Sequence, residues 1–345
     1  MKTRPLKQVA VWHNVDKATF TQEILPLAEP AILKGLVNHW PLVQHTSDTT
    51  RSSYVALIDS LKALYIGGNV QFARLDKQSA NNRYFYNRDF SGFNFKREVA
   101  SFDTFANALL RNEISSHEAV AIQSAPVNDY FPTFTQTHEL SLFDASVEPR
   151  FWLGNHSTVV PHYDDADNIA CVIEGKRRFT LFPPEQINNL YVGPLNHTPA
   201  GAPVSLVDVN VPDFNKYPKF KEALNHALVA ELEPGDAIYI PTLWWHNVEA
   251  LSKVNLLVNY WQGGSIAGND KPVPMDSLLL SLMTIKQLPE AKRKAWQAFF
   301  NYYIFESQQD RITHIPNHLH GVLGELSETH KQQIANWLIS QLSNQ

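Results

Sequence analysis

The sequence is poor in cysteine, with Cys171 the single cysteine among 345 residues. No disulfide can therefore form within the chain, and a cysteine-rich zinc site is excluded. No apolar run approaches the roughly 18 residues needed to span a bilayer, and the N-terminal stretch lacks the continuous apolar segment of a signal peptide. We therefore expect a cytoplasmic protein with no membrane contact.

Concentrated positive charge is also missing. The formal net charge is −5, and the 29 lysine and arginine residues are scattered along the chain. Nucleic-acid interfaces usually show a basic patch, so we expect no nucleic-acid partner. The chain does contain abundant apolar residues, at 44% hydrophobic against 18% charged, which is enough for a large packed core.

The region before residue 150 mixes helical and extended patterns. Residues 52–64 and 102–112 carry apolar side chains at helical spacing. Residues 69–75 alternate between apolar and polar, and residues 119–123 form a short apolar run. These patterns predict two helices and two strands in an N-terminal α/β elaboration.

From residue 150 to 262 the pattern changes to short apolar runs separated by turn residues. Glu174-Gly175 and Pro234-Gly235-Asp236 are two such turns, and a polar, proline-bearing insert interrupts the series at residues 185–230. Many short strands joined by hairpin turns predict an antiparallel sandwich or a jelly-roll barrel.

After residue 275 the pattern is helical, and the last of three apolar-rich stretches covers residues 327–343. We therefore predict a fold that is mainly β with added helices. The barrel with its N-terminal elaboration would occupy residues 1–265, and a C-terminal helical segment residues 266–345. We expect the helical segment to form the interface of a homodimer, and the alternative is that its helices pack on the barrel.

One constellation of residues has the composition of a metal site. His162 and Asp164 would point the same way from an extended strand, because residues i and i+2 share a face. His246 lies inside an apolar run on a later predicted strand. Two histidines and one carboxylate leave three octahedral positions open, as in Fe(II) oxygenases. The alternative is a chance His-x-Asp pair and a histidine that is only hydrogen-bonded in the core.

Arg177 is a charge on a predicted inner face, because it alternates with the apolar Phe179 and Leu181. A buried cation costs several kcal/mol unless it is paired. An anionic ligand would pair it, and so would a core acid such as Glu233. Asn168 and Asn259 are also predicted to point inward, where they would bind a ligand or each other.

The segments HYDDADNIACVIEGKRRFTLFPPEQ (162–186) and GDAIYIPTLWWHNVEAL (235–251) resemble the cupin-like branch of the JmjC family of Fe(II)/2-oxoglutarate-dependent oxygenases. PAILKGLVNHWP, NRYFYNRDF and VNYW extend the resemblance over roughly residues 25–262. The resemblance implies a double-stranded β-helix that binds Fe(II), 2-oxoglutarate and O2, with His162, Asp164 and His246 as the metal ligands.

The resemblance also implies a cosubstrate pocket and a substrate pocket. Candidate cosubstrate-binding residues are Arg177, Lys176, Asn168, Asn259 and Thr158. Candidate substrate-pocket residues are Tyr86, Gln123, Trp152 and Trp261. Two positions depart from the family pattern, because Val159 stands where the family has a threonine and Ala121 where it has a tyrosine. Tyr86 or another hydroxyl would have to compensate.

Several functions fit these features. The leading interpretation is an oxygenase that hydroxylates a protein side chain, and a second is an oxygenase acting on a small molecule or an RNA base. A third is a non-catalytic, metal-binding cupin that serves as a small-ligand sensor or assembly module. A zinc or manganese isomerase on the same barrel is a fourth, and its activity would not require oxygen.

Overall fold

The computed structural model describes residues 6–47, 53–77, 81–115, 117–265, 272–306 and 312–343. The chain divides into two compact units, residues 1–267 and residues 268–345. Within the described ranges, every helix is too short or too polar to cross a membrane.

The first unit contains the strands. In chain order they are β1 (Lys7–Gln8), β2 (Ala10–His13), β3 (Ala31–Lys34), β4 (Asn69–Asp76), β5 (Arg83–Tyr84), β6 (Phe95–Ser101), β7 (Glu118–Pro126), β8 (Pro149–Gly154), β9 (Ser157–His162), β10 (Asp167–Glu174), β11 (Arg177–Phe182), β12 (Leu228–Leu232), β13 (Ala237–Ile240), β14 (Trp245–Ala250) and β15 (Asn255–Gln262). The predicted strands at 69–75 and 119–123 are confirmed as β4 and β7.

The helices of the first unit are mostly short. They are α1 (Lys17–Thr19), α2 (Pro41–Ser47), α3 (Ser53–Leu64), α4 (Phe102–Ser115), α5 (Val127–Tyr130), α6 (Phe134–Thr137) and α7 (Phe220–Asn225). A π-helical segment (Phe20–Ile24) and two 3-10 segments (Leu25–Leu27 and Pro184–Asn189) complete them. The predicted helices at 52–64 and 102–112 are confirmed as α3 and α4, and residue 52 lies outside the described residues.

The strands form two sheets. The smaller sheet has the order β1-β12-β11-β14-β9-β5, and the larger has the order β2-β3-β13-β10-β15-β8-β7-β4-β6. The central pairs β10–β15 and β11–β14 are antiparallel. One buried cluster draws its side chains from both sheets, including Phe179 and Leu181 of the smaller sheet and Ala170 and Ile238 of the larger. The two sheets therefore enclose a common interior, and the predicted jelly-roll is confirmed.

Strands β10 and β15 are buried along almost their whole length. One face of each lines the barrel interior, and the other packs in a second core under the N-terminal helices. Phe105 of α4, for example, lies with its ring centroid 5.3 Å from that of Phe72. Strands covered on both faces read as continuous apolar runs, which explains the NIACVI and NLLV patterns.

The turn between β10 and β11 requires a glycine. Gly175 has a φ of 76°, and a Cβ added there would lie 2.6 Å from the carbonyl oxygen of Val254. Left-handed backbone conformations favour glycine because other residues meet a steric penalty there. This turn starts β11 in the register that directs Arg177 into the barrel.

The second unit is helical, as predicted. Its helices are α8 (Pro274–Thr284), α9 (Glu290–Phe300) and α10 (Glu328–Ser343), with a π-helical segment (Asn301–Phe305) and 3-10 segments (Asn317–Leu319 and Gly321–Leu323). None of the residues described in these elements is buried.

Candidate metal centre

The two histidines of the candidate site lie opposite each other on neighbouring strands. His162 is the last residue of β9, and His246 of β14 is its antiparallel partner. The next matched pair is Val159 with Val248, so two residues of β9 face the single residue Asn247 of β14. This β-bulge puts both Val159 and His162 on the inner face, although three positions separate them.

The structure brings His162, Asp164 and His246 together. One ligand atom from each residue lies within 4.8 Å of the others. The imidazole centroids are 4.2 Å apart, and His246 Nε2 is 3.6 Å from Asp164 Oδ2. Asp164 lies just beyond the end of β9 rather than within an extended strand, so its direction depends on the loop. All three side chains are at most 9% exposed.

Both imidazoles are oriented by the backbone. His162 Nδ1 is 2.9 Å from the carbonyl oxygen of Val160, and His246 Nδ1 is 3.0 Å from that of Trp244. A carbonyl can only accept, so each Nδ1 carries a proton and Nε2 is the ring nitrogen that remains to bind a metal. Burial and the nearby His162 lower the pKa of His246 to about 4, which keeps its imidazole neutral at physiological pH.

The carboxylate of the candidate site is held by an indole. Trp261 Nε1 donates to Asp164 Oδ2 at 3.1 Å, and both side chains are buried. Hydrogen bonds of this kind fix the direction of metal-ligating carboxylates. Two imidazoles and one oriented carboxylate fit a divalent metal of the non-haem iron type.

A narrow cavity lies beside the metal centre between the two sheets. Val159 and Val248 line this cavity, and they are the next matched pair after the two histidines on the same two strands. The lining residues are Tyr84, Ala121, Ile122, Gln123, Trp152, Leu153, Gly154, Asn155, Ser157, Val159, Arg177, Val248 and Ala250. The predicted pocket residues Gln123 and Trp152 therefore line it, as do both departures from the family pattern, Val159 and Ala121.

Arg177 is the charged residue of this cavity. It is 7% exposed, and its one hydrogen bond runs to the carbonyl oxygen of Trp152 at 3.4 Å. Its Nε has no partner, and no carboxylate among the described residues pairs with it. Burial lowers the pKa of the guanidinium to about 10, so it stays charged at neutral pH. A buried, unpaired cation fits an anionic ligand.

Two predicted cosubstrate residues lie elsewhere. Lys176 is exposed at the turn before β11, where its Nζ pairs with Glu233 at 2.6 Å. Glu233, which the sequence offered as an ion-pair partner for Arg177, therefore pairs with Lys176 instead. Thr158 is buried, but it lies on the face of β9 opposite Ser157 and Val159, beside Glu249. Strand alternation directs Thr158 out of the cavity, and the structure brings neither residue to it.

The two inward asparagines bond to each other. Asn259 Nδ2 donates to Asn168 Oδ1 at 3.4 Å, and Asn259 Oδ1 accepts from Trp152 Nε1 at 3.0 Å. The rings of Trp152 and Trp261 meet edge to face at 6.4 Å. These contacts connect the cavity wall with the tryptophan that orients Asp164.

Tyr86 does not reach the cavity. Its hydroxyl donates to the carbonyl oxygen of His197 at 2.5 Å, and its ring packs with Val160 and Val204 on the outer side of β9. Tyr84 lies in the cavity instead, and its hydroxyl has no hydrogen-bond partner among the described residues. Both tyrosines lie in the motif NRYFYNRDF. Because β5 ends at Tyr84, strand alternation does not extend to Tyr86 and could not predict which of the two faces the cavity.

Comparison with known proteins gives a consistent result. A model of the cupin-like domain matches residues 17–264. The chain is 31% identical over 167 residues to JmjC domain-containing protein F of Dictyostelium discoideum, with 43% of this chain and 35% of that protein covered. It is 28% identical over 246 residues to JmjC domain-containing protein D of the same organism, with 68% and 52% covered.

A third relative is the tRNA wybutosine-synthesizing protein 5 of Danio rerio. It is 26% identical over 265 residues, which cover 71% of this chain and 72% of that protein. The chain thus spans about a third and about half of the two Dictyostelium proteins, and more of the zebrafish protein.

Proposed function

The chain belongs to the cupin-like domain family of JmjC proteins, and we propose that it is an Fe(II)- and 2-oxoglutarate-dependent oxygenase that hydroxylates its substrate. The observation that carries the proposal is the unpaired, buried Arg177 in a cavity beside the two histidines and the aspartate.

Each residue of the site has a definite task in this proposal. His162, Asp164 and His246 hold the metal, and Trp261 keeps the Asp164 carboxylate directed at it. Bound Fe(II) together with 2-oxoglutarate and O2 would supply the oxidising chemistry.

The cavity residues position the cosubstrate. Arg177 binds its far carboxylate, because guanidinium offers paired donors to a carboxylate. Val159 and Val248 give the cavity apolar walls on the side of the metal and exclude water from it. No side chain is required as a general base.

The test is an anaerobic titration of the Fe(II)-loaded protein with 2-oxoglutarate, in which the charge-transfer absorption band of the chelate is followed. We expect a saturable band and, after admission of O2, formation of succinate. His246→Ala should abolish the band, whereas His226→Ala, a change at an exposed histidine paired with Glu222, should leave it intact. If the wild-type protein gives neither band nor succinate, the oxygenase proposal is wrong.

As substrate we propose a protein side chain. The net charge of −5 and the scattered basic residues favour it over a nucleic acid, which is usually bound by concentrated positive charge. The zebrafish relative is named for a step in tRNA modification, so tRNA is the substrate to test against peptides. Stimulation of succinate formation by peptide pools but not by tRNA is the expected result, and the reverse would contradict it.

A second candidate function is a non-catalytic, metal-binding cupin that senses a small ligand or serves in assembly. The departures at Val159 and Ala121, both in the cavity wall, favour it. This alternative expects metal binding without the charge-transfer band, so the same titration separates the two.

We further propose that the helical unit mediates a homodimer in the cytoplasm. Its described elements bury no residue, and many large apolar side chains are exposed: Leu278, Leu279, Met283, Trp296, Phe299 and Tyr303. Exposed apolar area of this extent is typical of an interface. Light scattering should give twice 39.2 kDa. Phe299→Glu should yield monomers and Gln297→Glu should not, and a monomeric wild-type protein contradicts the proposal.

A further inference from the structure

We propose that the hydroxyl of Tyr84 and the guanidinium of Arg177 together bind one carboxylate group, the far carboxylate of the keto-acid cosubstrate. This inference rests on the proposed function and adds a residue to it. Two buried polar groups with unsatisfied hydrogen-bonding capacity line the same cavity, Arg177 through Nε and Tyr84 through its hydroxyl.

Burial makes both groups costly in the absence of a ligand. Tyr84 is 2% exposed and Arg177 is 7% exposed. Buried donors are almost always satisfied by protein or ligand, and an unsatisfied one destabilises the protein. The Tyr84 hydroxyl lies near Ser157 but makes no hydrogen bond with any described residue, and Ser157 itself donates to the carbonyl oxygen of Asn155.

The strand register directs Tyr84 to the position required. Strand β5 runs parallel to β9, with Tyr84 beside Val159 on the inner face. Its ring packs against Ala119 and Ala121 of β7 and meets Phe95 edge to face at 5.3 Å. Ala121 lines the same cavity and has no hydrogen-bonding side chain, whereas Tyr84 contributes a hydroxyl to it.

The chemistry of the two groups selects an anion. Burial raises the pKa of the Tyr84 hydroxyl, which therefore remains a protonated donor. Arg177 is a permanent donor, and the adjoining walls contain Val159, Val248 and Ala250. A carboxylate accepts from both donors and neutralises the cation, whereas a neutral or cationic group leaves the guanidinium unpaired.

The test compares two keto acids on two variants. Mn(II)-loaded wild-type protein, Tyr84→Phe and Tyr86→Phe are titrated calorimetrically with 2-oxoglutarate and with 2-oxobutyrate, which lacks the far carboxylate. Tyr86→Phe is the matched control, because its hydroxyl bonds to His197 outside the cavity. Tyr84→Phe should weaken 2-oxoglutarate about 10- to 100-fold, the usual effect of losing a hydrogen bond to a charged group, and leave 2-oxobutyrate unchanged. Tyr86→Phe should alter neither.

Two results overturn the inference while the proposed function stands. One is an unchanged affinity of Tyr84→Phe for 2-oxoglutarate, and the other is an equal loss for both keto acids, which indicates a general packing defect. If the wild-type protein binds Mn(II) but neither keto acid, the proposed function fails, and glutarate then serves as the probe. Glutarate binding that Tyr84→Phe weakens supports the carboxylate site, and absence of glutarate binding refutes it.

Discussion

Replacement of Arg177 by methionine should change stability and binding in opposite directions. Burial lowers the pKa of Arg177 from 12.5 to about 10, and at about 1.4 kcal/mol per tenfold this corresponds to a cost of about 3 kcal/mol for the buried charge. Methionine fills much of the same volume without the charge and forfeits one long hydrogen bond to Trp152, worth about 1 kcal/mol. The ligand-free protein should therefore gain about 2 kcal/mol in free energy of unfolding.

The same change should weaken 2-oxoglutarate binding. Loss of one member of a buried charge pair costs about 2–5 kcal/mol, which corresponds to about 30- to 5,000-fold in affinity. Urea unfolding measures the stability of the metal-loaded protein with and without 2-oxoglutarate. The wild-type protein should be stabilised by the cosubstrate, and Arg177→Met should be more stable without it but insensitive to it.

The adjacent arginine provides the control. Arg178 is exposed and pairs with Glu231 at 2.7 Å. Exposed ion pairs contribute about 0–1 kcal/mol, so Arg178→Met should leave both quantities nearly unchanged. The reasoning is refuted if ligand-free Arg177→Met is less stable than the wild-type protein, because Arg177 would then be satisfied within the protein.

Three further changes test the metal centre and its frame. His246→Ala should abolish stoichiometric Fe(II) or Zn(II) binding in equilibrium dialysis, and retention of one ion per chain would remove His246 from the ligand set. Trp261→Phe keeps an aromatic ring but loses the hydrogen bond to Asp164, so metal affinity should fall about 10- to 100-fold. Unchanged metal affinity would show that the Asp164 carboxylate does not need this hydrogen bond. Gly175→Ala meets a positive φ and the Val254 carbonyl oxygen, and should lower the free energy of unfolding by more than about 1 kcal/mol in urea; a neutral effect would mean that the turn can relax.

The barrel and its inward charge could be predicted because strand alternation is local. Arg177, Phe179 and Leu181 alternate as the sequence indicated, and the adjacent Lys176 falls at the turn and points to solvent. His162 and Asp164 also come together, although Asp164 lies beyond the strand. The two-residue spacing predicted that both side chains point the same way, and they do so although a short loop, rather than a strand, holds Asp164.

The directions of other side chains depended on strand pairing, which the apolar pattern of the sequence does not show. Thr158 was expected in the cosubstrate pocket, but β9 alternates regularly until Val159 and only then bulges. Tyr86 was named and Tyr84 was not, because a strand of only two residues gives no alternation that the sequence could show. Each error arose where tertiary pairing, rather than local sequence, set the direction of a side chain.

The bulge in β9 also determines which length changes the chain can accept. Two residues, Val160 and Pro161, occupy the space that a regular ladder gives to one. Deleting either would restore the two-residue pleat and turn the His162 imidazole away from His246, although all three metal-ligating residues would remain in the sequence. Related chains of different length should therefore gain or lose residues in the 185–230 insert, while the distance from Val159 to His162 stays fixed at three positions.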